Sequence, residues 1–220
     1  MTALINCHIN KPIEAMGAEL QLFNLQGSRV SGLMAQGVKV KSDALLSHDF
    51  HAIGEVSFLG ANIGGHLSCQ GGTFENPERI ALIAQSATVK DALFWREVKK
   101  IQGKIHLVNL DTQQALADDE ASWSFKDMEY RLNGMTYQSI VSKDFTADVS
   151  ARLEWLEKGS IEEQKSETDK SKTKLFTPQP YSQCAKTMRK MGFDLVAKKV
   201  FIERERLINK HTQKSFFRRG

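Results

Sequence analysis

The sequence predicts a mainly β chain with α: a right-handed β-solenoid of short coils followed by a C-terminal α-helical hairpin. Three observations lead there. The first is internal self-similarity. Leu33-Met34-Ala35-Gln36-Gly37-Val38-Lys39-Val40-Lys41 returns, weakened, as Leu82-Ile83-Ala84-Gln85-Ser86-Ala87-Thr88-Val89-Lys90. Gly54-Glu55-Val56-Ser57-Phe58 returns as Gly103-Lys104-Ile105-His106-Leu107 at the same offset, 103 − 54 = 49 residues. With one skipped position near Ser42, Asp43-Ala44-Leu45 matches Asp91-Ala92-Leu93. A fixed period marks stacked repeats. The second observation is the pairing of apolar residues between 55 and 72: Val56/Phe58, Ala61/Ile63 and Leu67/Cys69, with glycines between the pairs. The third is a change of character near the C-terminus, where strand-like alternation gives way to helical spacing and basic charge.

Residues 1–125 read as solenoid repeats. Alternation over a few residues turns one side of a short strand inward, and glycine permits the corner that follows. Asn-Gly and Asp-Gly hairpin turns are absent here, so a coiling chain fits better than hairpins. Small residues such as Ala61, Cys69 and Ala84 suit a narrow interior, and Leu20, Leu22, Leu25, Val30 and Leu33 extend the pattern toward the N-terminus. Phe74-Glu75-Asn76-Pro77-Glu78-Arg79 reads as a loop between coils. An open solenoid end exposes strand edges and needs a cap. The polar stretch 111–120 and then residues 126–158 are expected to supply one, with Trp123, Phe125, Met128, Tyr130, Leu132 and Tyr137 as the plug and a short helix over 145–158.

Residues 159–175 are nearly all charged or polar and read as a disordered linker. Residues 176–213 read as two helices. Pro178 and Pro180 open the first, Tyr181, Ala185, Met188 and Met191 line it, and Gly192 ends it. The second starts at Asp194 with Leu195, Val196, Val200, Phe201 and Leu207 as its apolar side. A basic tail, 214–220, follows.

Composition narrows the function. A chain of 220 residues, 41% hydrophobic and 25% charged, can bury a sizeable core. Cys7, Cys69 and Cys184 are far apart and in no CxxC spacing, which argues against a disulfide framework or zinc ribbon and for a reducing cytoplasm. No apolar run approaches the ~20 residues of a membrane helix, and no basic-then-apolar leader opens the chain. The net charge of +4 hides a split. From Tyr181 to Gly220 there are 11 Lys and Arg against 3 Asp and Glu, leaving 4 − 8 = −4 for the remainder. Such a split marks either a segment that meets an anionic partner or a solvated helix face.

The run Gly54-Glu55-Val56-x-Phe58-Leu59-Gly60-Ala61-x-Ile63-Gly64-Gly65-x-Leu67-x-Cys69-x-Gly71-Gly72 resembles a family of bacterial repeat proteins. These are similar in style to pentapeptide-repeat β-helices and are labelled membrane-associated proteins or oxidoreductases. The likeness continues in Leu132-x-Gly134-x-x-Tyr137, Arg152-Leu153-x-Trp155-Leu156, Pro178-Gln179-Pro180-Tyr181 and Ala197-Lys198-Lys199-Val200. It implies a repeat scaffold at the inner face of a membrane, with an oxidoreductase as the alternative. Family members continue past the basic helix into apolar segments, so the resemblance describes a short form lacking that anchor.

No catalytic set accompanies the repeats. Gly60-Ala61-Asn62-Ile63-Gly64-Gly65 lacks the dinucleotide fingerprint and has no following helix. His48-Asp49-Phe50-His51 would need His66 and Cys69 to complete a metal site, and reads instead as an exposed loop between coils. Cys184 has no neighbouring base in sequence and reads as a small buried hydrophobe. The expectation is therefore no catalytic residue, no metal and no cofactor. The expected contact with an anionic membrane surface or a protein falls on Arg189, Lys190, Lys198, Lys199, Arg204, Arg206, Lys210, Arg218 and Arg219, with Lys214 among them. Nucleic acid, which the same cations could hold through phosphates, ranks lower because no base-reading motif is present.

Overall fold

The computed structural model describes residues 2–142, 149–165 and 172–216. It is a β-solenoid of about 6 turns followed by three helices. Each early turn is built from two-residue strands separated by corners. In the second turn these are Phe23–Asn24, Arg29–Val30, Leu33–Met34 and Lys39–Val40. Within the solenoid each inner strand pairs in parallel with the equivalent strands of the turns before and after, giving two long sheets that share one interior.

The register shows why the sequence reads as it does. Phe23, Ala44, Leu67, Leu93 and Leu116 stack as one inward column. Leu33, Val56, Leu82, Ile105 and Tyr130 form another. All ten side chains are almost fully buried. Val56 lies between Leu33 on one side and Leu82 on the other, so the 49-residue repeat is two coils. The skipped position near Ser42 does not exist in space. Ala44 and Leu93 both flank Leu67, so the offset stays 93 − 44 = 49.

Glycines mark one corner. Gly54 has φ +130° and Gly103 has φ +119°, conformations that side chains rarely adopt. A Cβ on Gly54 would press into the Ser31 carbonyl, and one on Gly103 into the carbonyls of Asn76 and Arg79. Their recurrence at the two-coil spacing is a steric requirement of stacking.

The expected boundaries shift in three places. The polar stretch after Leu110 is a strand, Asp111–Asp118, and it pairs with Thr136–Ser142, so stacked strands continue past residue 125. The insert after Phe74 is a bulge within the strand Thr73–Ile83, with register shifts near Ile80 and Asn76 Nδ2 donating to the Ile80 carbonyl. The stretch 159–175, expected to be disordered, contains an antiparallel ribbon, Ile161–Lys165 with Lys172–Phe176. Residues 166–171 lie outside the described ones. A two-stranded ribbon satisfies its backbone by pairing and needs little apolar area of its own. Arg131 holds Glu162 at 2.7 Å, and Phe176 packs on Tyr181 and His211.

The helices are α1 (Ser150–Ser160), α2 (Gln179–Lys190) and α3 (Asp194–Phe216). The first part of the helix expected over 145–158 lies outside the described residues. In α2, Tyr181, Cys184, Ala185 and Met188 form the buried stripe of an amphipathic helix. Gly192, at φ +84°, makes the left-handed turn into α3.

Candidate functional site

The helical hairpin is held by the closed end of the solenoid. Asp118 pairs in register with Trp95, at a position that is apolar in the coils beneath. Arg152 of α1 meets its carboxylate with both terminal nitrogens, at 2.7 and 2.9 Å, and Trp123 Nε1 donates to it at 3.0 Å. Burial alone would lower the Arg152 pKa, but the Asp118 charge and hydrogen bonds reverse this and keep the guanidinium charged. The guanidinium also lies 4.5 Å over the Trp155 ring. Trp123 packs against Trp95, Tyr130 and Trp155 with centroids 5.2–5.6 Å apart. Trp123, Tyr130, Leu132 and Tyr137 are buried, and Phe125 and Met128 are packed against them, so the aromatic cluster plugs the stack.

Against this plug α2 lies with its polar side chains feeding the last turn. Gln179 accepts from the Gly134 amide and donates to the Met135 carbonyl, and Gln183 and Thr187 both donate to the Tyr137 carbonyl. The hairpin is therefore fixed to the solenoid by hydrogen bonds as well as by apolar packing.

The expected cations fall into three groups on this platform. Arg204 and Arg206 are occupied within the hairpin. Arg204 contacts Glu205 at 2.6 Å and Ser182 Oγ at 2.8 Å, and Arg206 contacts Glu203 at 2.5 Å. The Arg206 hydrogen bond holds the Glu203 carboxyl below its usual range. Arg189 and Lys190 close the exposed end of α2, where Lys190 reaches Gln138 at 2.8 Å. With Lys186, Arg204, Phe201, Ser182 and Ala185 they line a shallow recess between α2 and α3. Lys198, Lys199 and Lys210 are exposed on α3, with no ion-pair partner among the described residues. Arg218 and Arg219 lie outside the described residues, and the Lys214 side chain is not described.

Not all of α3's apolar residues face inward. Ala197, Val200 and Leu207 are buried, but Leu195 is 79% exposed, Ile202 56% and Phe201 44%. Leu195 and Ile202, seven residues apart, project from the same outward side as Lys198 and Lys199. Lys186 belongs to this surface but is absent from the expected set, and Phe201 and this outward apolar pair are missed by a reading based on charge alone. The seven-residue spacing of Leu195 and Ile202, offset from Val200 and Leu207, is the signal that separates the two faces.

The remaining chemistry-bearing residues are dispersed by the stacking. His48 and Asp49 occupy an exposed corner with positive φ, with His48 beside Ser47 and Gln26, and Asp49 on Lys99. His51 lies in a strand between Arg29 and Glu75, while His66 packs on Phe94. Among the described residues no group of three His, Cys, Asp or Glu side chains is placed to hold a metal. Burial pushes the Cys184 thiol up to about 11 and that of Cys69 higher still. Gly60 turns a corner at φ +62°, and Gly64 and Gly65 lie against the backbone of the coil below.

Comparison with family models, with curated proteins and with solved structures finds no match for this chain. Among the described residues no helix is long and apolar enough to cross a membrane.

Proposed function

We propose that the protein is a non-enzymatic scaffold whose solenoid presents the α2–α3 hairpin to an anionic membrane surface. One observation carries this reading: the outward side of α3 sets Leu195 and Ile202 in solvent beside Lys198 and Lys199. Apolar side chains flanked by cations match an interface of acyl chains below anionic headgroups. Each well-placed cation contributes about 1 kcal/mol at such a surface. The recess lined by Lys186, Arg189 and Lys190 extends the basic area on the same hairpin. Kinship with the membrane-associated pentapeptide-type repeat family, and a place at the cytoplasmic side of a membrane, belong to this same proposal.

Vesicle flotation tests it. The whole chain is expected to float with phosphatidylglycerol-containing vesicles and not with phosphatidylcholine alone. Lys198→Gln with Lys199→Gln should weaken binding roughly 30-fold, two cations at about 1 kcal/mol each. Leu195→Ser with Ile202→Ser should weaken it further. Flotation unaffected by both pairs sinks the proposal. Salt-sensitive binding to duplex DNA without vesicle binding would replace the membrane with nucleic acid.

A further inference from the structure

The recess between α2 and α3 balances its charge differently from the solenoid. There, cations are commonly met by acids: Lys39 by Glu19, Lys100 by Glu75, Lys104 by Glu129 and Arg131 by Glu162. No acidic side chain lines the recess. Ser182, Ala185, Lys186 and Arg189 follow the spacing that puts residues on one side of a helix, and Phe201 and Arg204 of α3 line the other wall. Ala185 is buried and Ser182 half-buried, while Lys186, Arg189 and Lys190 are exposed, so small side chains form the base and cations the rim. Arg204 is fixed in place. Its Nη1 donates to Ser182 Oγ at 2.8 Å, its guanidinium lies 4.4 Å over the Phe201 ring, and Glu205 balances its charge. Lys190 donates to the neutral Gln138 Oε1. Lys186, Arg189 and Lys190 thus have no ion-pair partner among the described residues. Like charges three and four residues apart on a helix repel. The helix dipole favours Arg189 and Lys190 in the last turn of α2, but it does not account for Lys186 a turn earlier.

We propose that this recess binds a phosphomonoester group. Three uncompensated cations around one hollow call for an anion with more than one charge and several acceptor oxygens. A phosphomonoester carries about −1.5 to −2 at neutral pH and offers three such oxygens. Arg189 supplies a planar fork of donors, and Lys186 and Lys190 supply point charges. A carboxylate or a phosphodiester brings a single charge and leaves most of the repulsion in place. Two sources share this chemistry: the headgroup of a lipid such as phosphatidic acid, and a soluble phosphate ester. In the lipid form the site rests on the membrane reading above and gives that surface its selectivity. Phe201 links the two, since its exposed ring lines the recess and it precedes Ile202 of the outward side.

Two measurements on the whole chain test this. In the first, flotation compares phosphatidic acid with phosphatidylglycerol vesicles, their lipid fractions set to equal zeta potential. Phosphatidic acid is expected to bind at least about fivefold tighter. Lys186→Gln with Arg189→Gln should abolish that preference, whereas Lys198→Gln with Lys199→Gln should weaken binding to both lipids and keep it. In the second, inorganic phosphate replaces chloride at equal ionic strength. It should raise the melting temperature of the wild type and not that of Lys186→Gln with Arg189→Gln, because a ligand of the folded form stabilises it. Both substituted side chains are exposed, so the variant keeps its fold, and its melting temperature in chloride checks this. A lipid preference without a phosphate effect assigns the group to a lipid. A phosphate effect without vesicle binding assigns it to a soluble ester, and only the membrane reading then fails. Equal binding of the two lipids with no phosphate effect overturns the proposal, and phosphatidylglycerol binding in that case leaves the membrane reading standing. A preference and a phosphate effect that both survive Lys186→Gln with Arg189→Gln overturn it as well.

Discussion

The two ends of the solenoid solve one problem differently. Both present, among the described residues, a last coil with inward apolar residues and no further coil stacked on it. At the C-terminal end the chain supplies the cover itself: Trp123 stacks over Trp95, Trp155 over Trp123, and Arg152 neutralises the buried Asp118. At the N-terminal end Ile9, Ile13 and Leu20 stay half in solvent. The contrast shows that an inward-facing residue is not a core residue until a second layer lies on it. Each coil is buried by its neighbours, as expected of a quasi-one-dimensional stack.

The sharpest break of the comparison is at Asp118. Arg152→Met leaves a buried carboxylate facing apolar surroundings, and removing one partner of a buried pair costs about 3–5 kcal/mol. Denaturant unfolding should register that loss directly. Asp118→Leu combined with Arg152→Met should recover most of it, because Leu25, Leu46, Cys69 and Trp95 show that this inward position accepts apolar side chains. A loss under about 1 kcal/mol for Arg152→Met would mean that aromatic stacking alone seals the end.

A matched pair of truncations sharpens the difference further. Ile13 and Leu33 are adjacent in one inward column. Leu33→Ala should cost about 2–5 kcal/mol, the usual range for a fully buried site. Ile13→Ala should cost roughly half of that or less, because less area is taken from water. Equal costs would show that the first coil is as fully covered as the second.

The stacking itself was legible in the sequence because steric demands repeat. Gly54 and Gly103 recur where only glycine fits, and Val56, Phe58, Ala61 and Ile63 recur where the interior is narrow. Four features were not legible. The coil length varies, so the eye catches the two-coil period before the single coil, whose steps from Phe23 to Ala44 and Ala44 to Leu67 differ by two residues. Asp111–Asp118 looks like a polar cap because its outward positions are polar, while Thr112, Leu116 and Asp118 face inward. The ribbon Ile161–Lys165 with Lys172–Phe176 is held by backbone pairing, which composition does not report. Of the described basic set, sequence placed the cations on the hairpin but did not show that Arg204 and Arg206 are matched by Glu205 and Glu203 while Lys198 and Lys199, beside Leu195 and Ile202, have no ion-pair partner among the described residues.

The smallest effect expected is a pH dependence that belongs to the covered part of the stack. His106 ends the strand Lys100–His106, and its Nε2 is buried without a hydrogen-bond partner. Burial, with help from the Arg131 and Lys104 charges, lowers its pKa below the ordinary value of 6.5, against weaker opposition from Glu162 and Glu129. Between the lowered folded value and 6.5 the unfolded chain binds more protons than the folded one. Stability should therefore be full above pH 6.5 and fall as pH drops through that window. His106→Gln should flatten this part of the profile, measured as melting temperature against pH from 5 to 8. A profile that keeps its acid slope in His106→Gln would show that His106 is not its source. Glu75, lowered chiefly by its hydrogen bond to Lys100, is separable from His106, because its stabilisation is lost only below its ordinary value of 4.5, under the pH range of this profile.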